Sequence, residues 1–170
     1  IDVFGTRIGP LGFLQPNPEV AERIYDDLVD GIDGGCVFDL YAGSGATTGR
    51  LKARASRVLA CDAHPEAASD LGIETETAEA FLARQVETPD AVVANPPRKG
   101  LGALVTAELL RLGPGRIHIM SCGPDGLMND LAALAPAYQV ESLRAYDTLP
   151  QTPHVELIAK LVRRDEANGS

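Results

Sequence analysis

The sequence predicts an α/β domain: a mostly parallel, twisted sheet with helices on both faces and an antiparallel edge at its C-terminal end. Three observations predict it. Short apolar runs alternate with helix-period segments, Gly, Pro and Asp punctuate the runs, and 45% of the 170 residues are hydrophobic, as in a globular chain. Strands separated by helices need crossover connections, which make neighbouring strands parallel. A chain of this length fills one core and is short for two, so residues 1–170 are expected to form one domain, with 163–170 as a frayed tail.

The elements follow in order. Asn17 is placed to cap a helix that starts at Pro18 and carries Val20, Ile24 and Leu28 on one face. Residues 34–45, GGCVFDLYAGSG, read as a buried strand entering a glycine turn, 47–55 as a helix, 57–65 as a second strand and 65–72 as a helix. A third strand at 73–78 and a helix at 78–85 precede the fourth strand in 90–100, DAVVANPPRKG, which ends in a proline-rich loop. A helix at 105–114 and a fifth strand in 116–124, RIHIMSCGP, come next. Residues 138–147 and 154–164 form a closing pair whose short connection carries two prolines, which suits antiparallel strands at the sheet edge. That ending separates the chain from a standard dinucleotide-binding domain and suits a Rossmann-like class I methyltransferase fold.

Composition removes several functions. No apolar run approaches the roughly 18 to 20 residues that span a bilayer, and the start lacks a signal-peptide layout, so a cytoplasmic, non-membrane protein is expected. Cys36, Cys61 and Cys122 are too few and too far apart for a disulfide framework, a metal site or an iron–sulfur cluster. The net charge of −9 is the wrong sign for a domain that grips nucleic acid unaided.

Two loops carry the chemistry. In a doubly wound sheet ligands lie beyond the carboxyl ends of the strands. The first loop supplies Gly43 and Gly45, but Thr48 stands at the third position of the dinucleotide pattern, and Asp39 at the mouth would repel a pyrophosphate. S-adenosyl-L-methionine, with a sulfonium, an ammonium and no phosphate, suits an acidic mouth. Asp62 at the end of the second strand is placed to take both ribose hydroxyls, with Ala78 and Glu79 beside the adenine. Asn95, Pro96 and Pro97 end the fourth strand, where stiff backbone and a side-chain amide can meet a planar base. Arg98 follows where amine-methylating enzymes usually place an aromatic residue.

Cys122, at the end of the neighbouring fifth strand, faces the same cleft and is either a small core filler or a nucleophile. Uracil carbon-5 needs such a nucleophile, because a thiolate added at carbon-6 turns it into an enolate carbon. A base must then remove the carbon-5 proton; Glu156 is one candidate and His154 the other. Cys36 and Cys61 read as core, His64 as surface and His118 as part of a strand.

These segments together resemble the RNA uracil-5 methyltransferase family, which acts on transfer and ribosomal RNA with S-adenosyl-L-methionine. FLQPNPEVAERIY is similar to the family's Phe-x-Gln-x-Asn segment, DLYAGSG to its first cofactor loop, and NPPRKG to its Asp-Pro-Pro-Arg-x-Gly loop. SCGPDGLMNDL is similar to its nucleophile motif and DTLPQTPHVE to its closing segment. The resemblance implies that Gln15, Tyr41, Asp62 and Asn95 line the cofactor site, beside Asp39, Gly43 and Gly45 of the first loop. It also implies that Asn95, Pro96 and Arg98 meet the substrate, that Cys122 is the nucleophile and that Glu156 accepts the proton. Asn95 replaces the family's usual aspartate, which removes a charge and keeps a hydrogen-bonding group, and Ala42 stands where cysteine is common. The RNA-binding barrel that members carry is not in this sequence, so RNA affinity is expected from another segment or chain. Methylation of an exocyclic amine or small molecule, with Cys122 incidental, and a silent cofactor-binding scaffold are the alternatives.

Overall fold

The computed structural model describes residues 2–3, 6–7, 18–65, 67, 69–148 and 155–164. Its chain order is β1 (Asp2–Val3), β2 (Thr6–Arg7), α1 (Pro18–Val29), β3 (Cys36–Leu40), α2 (Ala46–Lys52), β4 (Arg57–Asp62), β5 (Ile73–Thr75) and α3 (Ala78–Ala83). There follow β6 (Ala91–Ala94), α4 (Gly102–Leu112), β7 (Arg116–Ser121), α5 (Pro124–Leu134), β8 (Tyr138–Asp147) and β9 (Val155–Arg163).

Seven strands form one sheet in the order β5-β4-β3-β6-β7-β9-β8. The first five are parallel, while β9 runs antiparallel to β7 and β8 antiparallel to β9. The expected mostly parallel sheet with an antiparallel C-terminal edge is therefore what forms. After β3 the chain builds outward through β4 and β5, then returns to lay β6 on the other side of β3. This reversal opens a crevice beyond the carboxyl ends of β3 and β6.

Residues of the central strands alternate between two cores, as the period of a strand requires. Phe38, Val92 and Ile119 join the layer with Phe81 of α3, Leu109 of α4 and Leu127 of α5. Val37, Val93 and Met120 join the layer with Ile24 of α1 and Leu51 of α2. On this second face Asp27, itself buried, ties α1 to the hairpin: its carboxylate accepts from Arg144 at 2.8 Å, Tyr146 at 2.5 Å and Lys160 at 3.0 Å.

Four details depart from the sequence reading. The two-stranded β1–β2 ribbon and α5 were not anticipated, although Pro124 in the first turn of α5 is a helix-start signal. The helix expected at 65–72 is, among the described residues, a 3₁₀ turn at Ser69–Leu71. The Asp62 side chain takes the His64 amide at 2.7 Å, which turns the chain as it leaves β4. Arg163 and Arg164 are not frayed: the Arg163 amide donates to the Gly115 carbonyl at 3.0 Å and the Arg164 guanidinium to Ala135 at 3.1 Å. Residues 165–170 lie outside the described residues, as do Asn17 with its expected cap, Gln15 and His154.

Candidate active site

The sheet register brings the loops level. Leu40 pairs with Cys61 on one side and with Ala94 on the other, so Tyr41, Asp62 and Asn95 leave the sheet at one height. The Asn95 amide donates to the Leu40 carbonyl at 3.2 Å, which holds the start of the β6 loop against the β3 loop.

The β3 loop is a left-handed turn. Tyr41 (φ 58°) is the one non-glycine with positive φ among the described residues, and Gly43 (φ 51°) and Gly45 (φ 78°) follow it. A tyrosine there costs on the order of 1–2 kcal/mol, and the surrounding bonds hold it. The Gly43 amide donates to Asp62 Oδ2 at 2.8 Å, and the Ala42 amide to the Cys61 carbonyl at 3.1 Å. Asp62 thus uses one lone pair on each oxygen for the backbone, Gly43 on Oδ2 and His64 on Oδ1, and keeps acceptor capacity on both. The nearest atom to where a Cβ on Gly43 would stand is Asp62 Oδ2, at 3.9 Å, so the turn leaves a cradle that a side chain would fill.

Asp39 is not at an open mouth. It is 2% exposed and accepts from the Thr48 hydroxyl at 2.6 Å. Burial pushes its carboxyl up to about 7, with the Thr48 hydrogen bond working against that shift and the Asp62 charge adding to it. Thr48, which looked like a missing glycine, is the partner of the buried acid. Tyr41 is half-buried, and its hydroxyl is pushed well above the ordinary tyrosine range by burial and by the charges of Glu79 and Asp130. Tyr41 packs against the core cluster that holds Phe38 and Phe81.

The β6 and β7 loops interlock. Asn95 is half-buried, Pro96 buried, and Pro97, Arg98 and Lys99 are exposed. A Cβ on Gly123 would lie 2.2 Å from the Arg98 carbonyl oxygen, and one on Gly126 would lie 2.5 Å from the same atom. Backbone packs on backbone here, and only glycine fits. Asp130, 3% exposed on α5, locks the arrangement: its carboxylate accepts from the Leu101 amide at 2.8 Å and the Gly102 amide at 3.3 Å. It thereby supplies the acceptor for the start of α4 that Leu101, at the cap position, cannot. Sequence reasoning quoted Asp130 inside a motif and gave it no role; its position within SCGPDGLMNDL was the available signal.

Cys122 is exposed at the bend between β7 and α5, so the core-filler alternative does not describe it. Cys61 is the contrast: it is fully buried, and burial drives its thiol up to about 12. Cys36 is only half-buried, and Arg57 Nε donates to its sulfur at 3.3 Å, which corrects the expectation of a core residue. On β9, Leu157 pairs with Ser121. One step further along both strands stand Glu156 and Cys122. Glu156 is 7% exposed. His64 is exposed, as expected. His118, in β7, is fully buried with Nδ1 2.7 Å from the Leu28 carbonyl oxygen, and burial lowers its pKa to about 4. Among the described residues no group of His, Cys, Asp and Glu could hold a metal ion, and no helix is long and apolar enough to cross a membrane.

Residues 85–164 match the family model described as tRNA (uracil-5-)-methyltransferase. The 23S rRNA (uracil(747)-C(5))-methyltransferase of Vibrio cholerae is 34% identical over 92% of this chain and 46% of its own length. The solved Pyrococcus abyssi tRNA (uracil-54, C5)-methyltransferase, in complex with S-adenosyl-L-homocysteine, has a TM-score of 0.75 at 31% identity and aligns with 91% of this chain and 41% of that one. An N-methyltransferase from Bradyrhizobium japonicum has a TM-score of 0.73 at 13% identity, covering 89% of each chain, which speaks for the fold alone. The chain thus spans under half the length of the uracil-5 relatives it matches. With the fold of class I methyltransferases, the match over residues 85–164 and this similarity along nine-tenths of its residues, the chain is similar to the RNA uracil-5 methyltransferase family.

Proposed function

We propose that residues 1–170 form the methyl-transferring domain of an enzyme that methylates carbon-5 of a uridine in RNA, with Cys122 as covalent nucleophile. The observation that carries this reading is the placement of Cys122: exposed, and one residue past Ser121, whose partner on the adjacent strand is Leu157, the neighbour of Glu156. Cys122 stands two residues before Pro124, the first residue of α5.

The residues fit S-adenosyl-L-methionine. The cradle at Gly43, the acceptor capacity of Asp62 and the start of α3 at Ala78 and Glu79 would hold the nucleoside part, with Asn95 and Tyr41 toward the substrate side. When bound, it supplies an electrophilic methyl group on a cationic sulfonium. Asp39, shut in behind Thr48, acts from the interior by fixing the turn.

The Cys122 thiolate adds to carbon-6 of the uracil, forming a C–S bond and pushing the electron pair of the C5–C6 double bond into the C5–C4–O4 enolate, so carbon-5 becomes nucleophilic. Pro96 and Pro97 offer the ring a stiff wall without amide donors, and the Asn95 amide offers it a hydrogen bond. After methylation Glu156 takes the carbon-5 proton, the electron pair reforms the C5–C6 double bond, and the sulfur leaves as thiolate. The base must be turned out of its stack to reach this position. RNA affinity beyond the site comes from protein outside this chain, and the compartment is the cytoplasm.

RNA carrying 5-fluorouridine tests the mechanism. Fluorine cannot leave as a proton does, so the adduct should persist, and mass spectrometry of the digest should find it on Cys122. Cys122→Ala should abolish the adduct and methyl transfer while keeping S-adenosylmethionine affinity within about threefold. Turnover by that variant, or an adduct elsewhere, would sink the proposal.

A further inference from the structure

The β6 loop ends in two cations that the protein leaves unused. Every other arginine or lysine with a described side chain, save Arg23 on α1, is bound to a carboxylate, a carbonyl or a thiol. Arg50 and Arg54 bind acids of α1 and the segment that follows it. Arg57 binds Glu87 and the Cys36 sulfur, Arg84 binds Glu74 and Glu76, and Arg111, Arg116 and Arg144 bind Glu108, Glu141 and Asp27. Lys160 binds Asp27, and Lys52, Arg163 and Arg164 bind carbonyls. In a chain of net charge −9, carboxylates are abundant, yet the consecutive Arg98 and Lys99 are exposed with no ion pair among the described residues.

Their backbone, by contrast, is fixed. The Arg98 carbonyl rests on Gly123 and Gly126, Gly100 turns at φ 88°, and Asp130 holds the two amides that follow. A rigid loop that carries two free cations beside an exposed thiol is built to receive anions. Leu104 and Met128, 70% and 59% exposed near the starts of α4 and α5, add apolar surface on the helices that follow the two loops.

We propose that Arg98 and Lys99 grip consecutive phosphates of an RNA strand whose uridine enters the site. This deepens the reading of the site as an RNA uracil-5 methyltransferase and rests on it. The grip is local compensation: the whole chain repels a polyanion, and this loop supplies positive charge where the strand must be held still.

The test measures affinity of the chain for a single-stranded, uridine-containing oligoribonucleotide across a salt series, by fluorescence anisotropy. Each phosphate contact contributes about 0.7 to the slope of log Kd against log salt for a single strand. Arg98→Gln with Lys99→Gln, which keeps most of each apolar stem, should therefore lower the slope by about 1.4. Arg23→Gln should leave the slope unchanged, and S-adenosylhomocysteine affinity measured by calorimetry should be the same in all three proteins. A double variant with the wild-type slope, or an equal fall in Arg23→Gln, would overturn the grip. Wild-type chain that forms no 5-methyluridine in the same RNA would overturn the underlying reading instead, so the two failures are separable.

Discussion

Asp130 shows how much of a site can rest on a residue that touches none of the chemistry proposed for it. Its buried carboxylate takes two amides at the start of α4, 28 and 29 positions away in sequence. Asp130→Ala should cost about 1–3 kcal/mol, the penalty for leaving buried donors unpaired. It should also slow 5-fluorouridine adduct formation by tenfold or more while S-adenosylhomocysteine affinity holds. Asp130→Asn, which retains one acceptor oxygen, should recover part of both. Urea unfolding and the trapping rate check the pair. At this scale Cys122, Asp62 and the two glycines were legible because they stand where strands end and loops begin. Asp130 and Thr48 were not, because each acts through a partner that only the folded chain brings near. Asp39 was misplaced for the same reason: its sequence position is at a loop, but its carboxylate points to Thr48 and is sealed from solvent.

The elements were more readable than their contacts. Period-2 and period-3.6 apolar patterns placed β3 to β9 and α1 to α4, and failed at 65–72, where a side-chain-capped turn competes with a helix. They also passed over α5, whose first residues had been read as part of the thiol motif. What joins elements is less visible still. Asp27 is the joint between α1 and the β8–β9 hairpin. Burial alone would raise its pKa, but hydrogen bonds from Tyr146 and Lys160, with the charges of Lys160 and Arg144, bring it below the ordinary value. Asp27→Ala takes from buried Lys160 its closer counter-ion and leaves it Asp30 at 3.9 Å, and the expected loss is about 3 kcal/mol. Replacing Lys160 by methionine in the same background should restore part of that loss, read by chemical denaturation.

For the whole molecule, pH dependence is set by buried groups of opposite sense. His118, with its folded pKa lowered to about 4, contributes stability that is complete above its unfolded value and is lost as pH falls toward 4. Asp27, also lowered, loses its contribution further into acid, below its ordinary carboxylate pKa. Asp39 works the other way. Its folded pKa of about 7 lies above the unfolded value of 3.8, so the folded state binds the extra proton between those limits and Asp39 costs stability as pH rises through them. Asp39→Asn should therefore gain stability relative to wild type between pH 5 and pH 8, measured by urea midpoints at each pH; an unchanged difference would exclude the buried acid as the source. The parallel order with an antiparallel close was legible at this scale because alternation and the proline-bearing last connection dictate it.

The close seating of the Arg98 carbonyl on Gly123 and Gly126 has one more implication. Two segments that share a face without side chains between them have no slack to absorb an insertion, so neither can lengthen or tilt alone. Descendants of this sequence that acquire a different target would be expected to do so by exchanging the groups displayed on the rim, with the span between Asn95 and Asp130 kept at a constant length.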